Sequence, residues 1–243
     1  MTEHYLGLED ATVLETRYME LTRLAVKDTV KYLAMAAMYG PAGLGKTFAV
    51  QEAIADLTQP VLRLKFEMRP TMRLVSDRLL HALGEETSMT RTRFAMTMQL
   101  LERLAERERV VVVEEAQNLN RDCFEYLRYL HDARQTRFAI IFDGGDGCWD
   151  VICREPMLKS RILRPVPFWT LGTEDVLALM PQYHPILRNA APSLIRHIDD
   201  HLARGRLRLW AAFTLTAADI CRHLGLDTVN PQVAETAIVQ LGG

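Results

Sequence analysis

Up to about residue 172 the apolar positions switch repeatedly between strand-like runs and a helical period; beyond it only the helical period continues. An unbroken apolar run, Leu33–Tyr39, reads as a first strand, and residues 60–66 alternate apolar with basic side chains, as a strand with one covered face does. Thr71–Leu83 sets Met72, Val75, Leu79, Leu80 and Leu83 on one helical face and stops at Gly84. Thr92–Glu108 does the same with Phe94, Met98, Leu101 and Leu104. Val110–Val113 is four β-branched residues without alternation, which suits a central parallel strand buried on both sides. Asp122–Ala133 reads as a helix, Phe138–Phe142 as a second buried strand and Trp149–Ile162 as a helix. Val166–Leu171 reads as a last strand, placed at the sheet edge by Pro167.

This order predicts an α/β fold, a parallel sheet with helices on both faces, over residues 1–172. Helical segments follow at Glu174–Met180, Ile186–Ala203, Leu207–Leu224 and Gln232–Leu241, so residues 173–243 are expected to form a small all-helical domain. The size, 243 residues with 49% apolar and 25% charged, allows one sizeable core and a smaller appendage. With a net charge of −2, no global basic field points to nucleic acid, and any DNA contact must come from a local patch. Cys123, Cys148, Cys153 and Cys221 lack C-x-x-C spacing and read as reduced thiols of a cytosolic protein. The first thirty residues are charged throughout, and no apolar run reaches the ~20 residues of a membrane span. A cytoplasmic location without membrane contact is the expectation.

The chemistry is concentrated where the first strand ends. Gly40-Pro41-Ala42-Gly43-Leu44-Gly45-Lys46-Thr47 fits G-x-x-x-x-G-K-[ST], the loop whose backbone N–H groups wrap the phosphates of a nucleoside triphosphate. In that pattern Lys46 reaches the β and γ oxygens and the Thr47 hydroxyl ligates Mg²⁺. Phe48 continues the loop into a helix whose N-terminus favours anions. The four-valine strand closes on Glu114-Glu115, at the crevice where α/β proteins bind ligands. Glu114 is assigned to Mg²⁺ and Glu115 to the attacking water, against the plainer reading of two solvated glutamates at a helix start.

The glycine loop, the Val110–Leu119 segment with its E-E-A-Q-N-L ending and the helical tail together resemble an AAA+ ATPase. More narrowly, they are similar to the transposition regulators MuB, TnsC and TniB and the ExeA-type proteins. That group usually ends the strand D-E-A-Q or D-E-A-H, so Glu114 replaces an expected Asp, a departure that bears on the hydrolysis rate more than on ATP binding. The resemblance implies a γ-phosphate sensor at the end of the next strand, where Asp143 stands; capping a turn is its other reading. It implies an arginine finger reaching a neighbouring subunit, for which Arg161 is the candidate and Arg164 a competitor. It implies a second sensor in Gly205-Arg206-Leu207-Arg208, with Arg208 preferred over Arg206.

The same resemblance implies an Mg²⁺-dependent ATPase, slow and stimulated by assembly, that forms a homo-oligomeric filament or ring on duplex DNA and recruits or activates a transposase. Arg69, Arg73, Arg91 and Arg93 are the candidate DNA contacts, with Arg128, Arg134 and Arg137 as a further cluster; an ordinary solvated face is the alternative for each. A nucleotide-gated protein-interaction switch without a DNA role is the competing function. A P-loop kinase is disfavoured by the long helical tail.

Overall fold

Residues 6–66, 68–86 and 92–242 are described by a computed structural model, in which the chain divides into two compact units. The first comprises Tyr18–Ala42 and Lys46–Phe168. It runs α1 (Arg17–Lys31), β1 (Met35–Tyr39), α2 (Lys46–Ala55), β2 (Val61–Lys65), α3 (Met72–Ala82), α4 (Arg93–Ala105) and β3 (Arg109–Glu114). Then come α5 (Arg121–Asp132), β4 (Phe138–Gly144), α6 (Cys148–Arg154), α7 (Pro156–Lys159) and β5 (Ile162–Pro167). All pairings are parallel and the strand order is β2-β3-β4-β1-β5.

The strand pleat sorts the residues that matter. Leu62, Leu64, Val111, Val113, Ile140 and Phe142 enter one core together with Leu79, Leu80, Leu100, Leu104, Phe124 and Leu127 from α3, α4 and α5. Alternation therefore puts Arg63, Glu114 and Asp143 on the opposite face. β3 and β4 are buried along almost their whole length, as the valine run predicts, and β2 alternates as its basic residues predict. Thr71 and Thr92 cap α3 and α4, accepting hydrogen bonds from Leu74 N–H and Ala95 N–H.

Three expectations fail locally. The single helix expected over Trp149–Ile162 is broken at Glu155, which precedes Pro156 and adopts φ −113°, ψ 91°; Pro156 then opens α7, and Ile162 already belongs to β5. The last strand is accordingly Ile162–Pro167 rather than Val166–Leu171, although it does lie at an edge, where Pro165 and Pro167 leave no ladder donor wanting. The amphipathic helix α1 lies in a stretch with no predicted element. It buries Tyr18, Met19, Thr22, Ala25, Val26, Thr29 and Val30 between charged positions.

The second unit comprises residues 6–17, Gly43–Gly45 and the chain from Trp169 onward. It holds α8 (Thr173–Tyr183), α9 (Pro192–Ile198), α10 (Leu207–Leu224) and α11 (Pro231–Gln240). The helix expected over Ile186–Ala203 is instead a 3₁₀ turn at Pro185–Leu187, then α9, then a π turn at Asp199–Ala203; Pro185 and Pro192 each restart the backbone. Buried Asp199 accepts from Gly205 N–H (2.8 Å) and Trp210 Nε1 (2.9 Å), fixing the turn into α10. The N-terminal segment is strapped to the same unit by Thr12 N–H donating to Tyr183 C=O (2.8 Å). Among the described residues no helix is long and apolar enough to cross a membrane.

Candidate functional site

A strand that ends in a tight loop and re-enters as a helix needs backbone angles that side chains resist. Gly40, Gly43 and Gly45 have φ of 135°, 84° and 86°, which fits the glycine spacing of a phosphate loop. At Gly40 the constraint is also steric, since a Cβ there would lie 2.3 Å from the Phe168 carbonyl oxygen. The Lys46 ammonium, buried at the start of α2, donates to Gly40 C=O (2.9 Å) and Pro41 C=O (2.7 Å). Thr47 is exposed beside it, Ala42 is exposed, and Phe48 is half-buried. In the helical unit, Arg208 N–H donates to Gly43 C=O (3.0 Å), and Leu44 is buried. Arg206 is the residue before α10.

The carboxylates come from the neighbouring strands. Glu114 and Asp143 are register partners on β3 and β4. Asp143 Oδ2 accepts the Thr47 hydroxyl (2.6 Å), so its side chain is engaged at the phosphate loop. Burial pushes the Asp143 carboxyl up to about 6, against the opposing pull of the Thr47 hydroxyl and the Lys46 ammonium; Glu114 and Glu115 add to the rise. Glu114 Oε1 accepts from Nε (2.8 Å) and Nη2 (2.5 Å) of Arg63 on β2. Glu115 follows in the left-handed region at φ 54°, ψ 41°, a conformation rare for a non-glycine residue and concentrated at functional sites. Its Oε2 accepts from Gln117 Nε2 (2.5 Å), and Gln117 Oε1 accepts from Gly145 N–H (2.5 Å).

Lys46, Thr47, Glu114 and Asp143 thus converge, with Glu115 at the exposed rim. Among the described residues no three His, Cys, Asp or Glu side chains form a ready metal cage. The oxygen donors present suit Mg²⁺ all the same, because that ion keeps several waters and takes one or two carboxylates plus substrate phosphates. Residue types and spacing gave no sign of Arg63 and Gln117 as partners. Arg63 was legible only as a basic position on the same strand face, and Gln117 only as part of the E-E-A-Q string.

The remaining candidates lie elsewhere. Arg161 follows α7, donating from Nε to Asp132 Oδ1 (2.6 Å) and from Nη1 to Met157 C=O (3.1 Å). Arg164 pairs with Asp28 on α1 (2.7 Å). Arg69, Arg73 and Arg93 are exposed, and Arg93 Nη1 lies 3.8 Å from the sulfur of Met72, the residue before Arg73. Arg91 lies outside the described residues. In the further cluster, Arg128 is tied to Glu125 (2.6 Å) and Asp132 (2.9 Å), and Arg137 to Glu108 (2.5 Å). Those pairings satisfy the two cations within the chain.

The family model described as the AAA domain matches residues 31–152, about half of the chain and the part that carries this site. The chain belongs to the AAA domain family. Nucleotide hydrolysis is the chemistry that this membership implies. No curated protein matches the chain. Among solved structures, the AAA chain is similar to Cdc6p from Pyrobaculum aerophilum (TM-score 0.74, 16% identity, covering 96% of this chain and 69% of that one). It is similar to the ORC2 protein of Aeropyrum pernix in its ADPNP-ADP complexes (TM-score 0.71, 16% identity, 96% and 69%). The ORC1 protein of the same organism, solved in complex with DNA, matches at TM-score 0.67 and 18% identity, over 96% of this chain and 67% of that one. At these identities the likeness establishes the AAA fold, a five-stranded parallel sheet flanked by helices and followed by a helical region.

Proposed function

We propose that this chain is an Mg²⁺-dependent ATPase of the cytoplasm that assembles as a homo-oligomer on duplex DNA in its ATP state and recruits or activates a transposase there. The convergence of Lys46, Thr47, Asp143 and Glu114 at the ends of α/β strands carries the ATPase part. ATP phosphates draw the Lys46 ammonium from the loop carbonyls it now satisfies, and the loop N–H groups at the start of α2 face the charge. Thr47 and the carboxylates beside it would hold Mg²⁺, which would supply positive charge to the transferring phosphoryl group. Glu115, steadied by Gln117, orients the attacking water and takes its proton. Asp143 and Arg208 act as sensors from their own subunit, and Arg161 serves the ATP of a neighbour. Glu114 stands where the group the sequence resembles has Asp, and its longer side chain is paired with Arg63, consistent with slow turnover that assembly stimulates.

The DNA part rests on the exposed arginines Arg69, Arg73 and Arg93, together with the DNA complex solved for one structural neighbour. Arg91 joins them in sequence. Such residues bind phosphates without reading bases, and a weakly acidic monomer needs neighbours to bind tightly. Anisotropy of labelled duplex at low salt tests this. Binding should require ATP or a non-hydrolysable analogue, fall steeply with salt and weaken in the Arg69→Ala, Arg73→Ala double variant. Absence of binding at micromolar protein in both nucleotide states would refute the DNA role. A nucleotide-gated protein-interaction switch would then be favoured by Met68 and Phe94, apolar side chains left 80% and 75% exposed beside these arginines.

A further inference from the structure

The register of β3 and β4 sets two carboxylates side by side, Glu114 and Asp143, yet the chain engages them differently. Glu114 takes two hydrogen bonds from one guanidinium, Arg63, on a single oxygen. That pairing offsets its charge and draws it toward β2. Asp143 is 4% exposed and accepts the proton of the Thr47 hydroxyl. A hydroxyl whose proton is held by a carboxylate presents its lone pairs away from that carboxylate, which is the orientation a cation ligand requires. The neighbouring Lys46 ammonium donates to Gly40 C=O and Pro41 C=O, and its charge also draws on the Asp143 carboxylate.

We propose that Asp143, not Glu114, is the carboxylate on which the Mg²⁺ site of this chain depends, acting as the positioning residue that orients Thr47 and supplies the negative charge behind it. Arg63 keeps Glu114 out of that role. The division of labour crosses from the strand that carries the E-E-A-Q string to its neighbour. The proposal rests on the nucleotide-binding reading of the loop.

The test separates the two. A fluorescent ATP analogue is titrated into the full chain in excess Mg²⁺ and again in excess EDTA, and the ratio of affinities gives the metal-dependent gain. Mn²⁺ electron paramagnetic resonance counts bound metal in parallel. In EDTA at pH 7.5 Asp143→Asn should bind the analogue at least as tightly as the wild type but lose about tenfold or more of the metal-dependent gain, with fewer bound Mn²⁺, on the scale seen when an outer-shell partner is removed. Glu114→Gln should keep most of the gain. Arg63→Met in the Asp143→Asn background should restore part of it by freeing Glu114, and melting curves check that each variant folds. Loss of the gain in Glu114→Gln with retention in Asp143→Asn would overturn the proposal, as would equal loss in both or a wild type that binds nucleotide without any metal-dependent gain. If the wild type binds no nucleotide under either condition, the ATP reading itself fails.

Discussion

Gly40→Ala isolates the requirement for close backbone approach at the mouth of the loop. The added methyl would stand 2.3 Å from the carbonyl oxygen of Phe168 and 3.2 Å from its carbonyl carbon, at a φ of 135° that side chains rarely adopt. Neither partner is a flexible side chain. Phe168 is buried, stacks on Tyr18 at 5.0 Å, and donates its N–H to Tyr39 C=O at 2.8 Å, so the collision must move main chain on both sides. Backbone strain of this kind costs about 1–3 kcal/mol. Forcing an extra methyl into packed surroundings adds ~1–3 kcal/mol. Together these give roughly 2–6 kcal/mol, or a fall in melting temperature on the order of 4–24 °C for a chain of this size. Gly225→Ala is the reference, because its φ of 66° carries strain while nothing lies within 4 Å of the new Cβ; it should lose only about 1 kcal/mol. Thermal melts by circular dichroism, paired with urea titration, measure both. If Gly40→Ala melts within ~2 °C of Gly225→Ala, the steric argument is wrong.

Lys46→Ala should abolish binding of a fluorescent ATP analogue while leaving the fold in place, with ~1–2 kcal/mol lost because Gly40 C=O and Pro41 C=O forfeit their donor. Unchanged affinity would remove the nucleotide assignment. Glu115→Gln should retain ATP but stop steady-state phosphate release, since the amide keeps the side chain's size and loses the base. Mixed with Arg161→Ala, it should recover part of the activity through composite sites; strictly additive loss would place Arg161 outside a neighbour's site. His131 is held below its ordinary pKa by burial, despite its bond to Leu33 C=O (2.9 Å) and the opposing influence of Asp132 at 3.9 Å; the Arg161 cation adds to the depression. Its stabilising contribution is therefore full above pH 6.5 and fades as pH falls through the depressed value. Urea titrations at pH 7.5 and 5.5 should show that loss in the wild type and much less of it in His131→Gln.

The parts of this chain that could be read in advance are those whose physics is local. A glycine spaced five residues from a second one, followed by Lys-Thr, can serve few purposes other than a phosphate loop, and four consecutive valines can pack only between two apolar layers. The helix α1 escaped because its buried residues are separated by charged ones. Its amphipathic period includes Thr22 and Thr29, which do not announce a core. Pro156 was read as lying inside a helix, whereas it starts one, and the restriction it places on Glu155 shifted every boundary up to β5. Arg63 meets Glu114 across 51 positions of sequence, a pairing that only the register of β2 on β3 creates. The ion pairs of Arg128 with Glu125 and Asp132 and of Arg137 with Glu108 likewise become visible only in the fold.

Charge accounting ties the site together. Glu114, Glu115 and Asp143 gather where two strands end, and Arg63 and Lys46 are the cations bonded or electrostatically coupled to that set. One cation is committed to Glu114, and the other donates to loop carbonyls. A third carboxylate beside a polyphosphate would repel it, so the set is compatible with ATP only if a divalent cation enters between them or Asp143 carries a proton. Burial already raises the Asp143 carboxyl to about 6, which makes the protonated form accessible near neutrality when no metal is present. Nucleotide affinity measured in EDTA should therefore increase from pH 7.5 to pH 6, and the increase should vanish in Asp143→Asn, whose amide is neutral throughout. A wild type whose metal-free affinity changes no more over that interval than that of Asp143→Asn would remove the argument that protonation of Asp143 governs binding without metal.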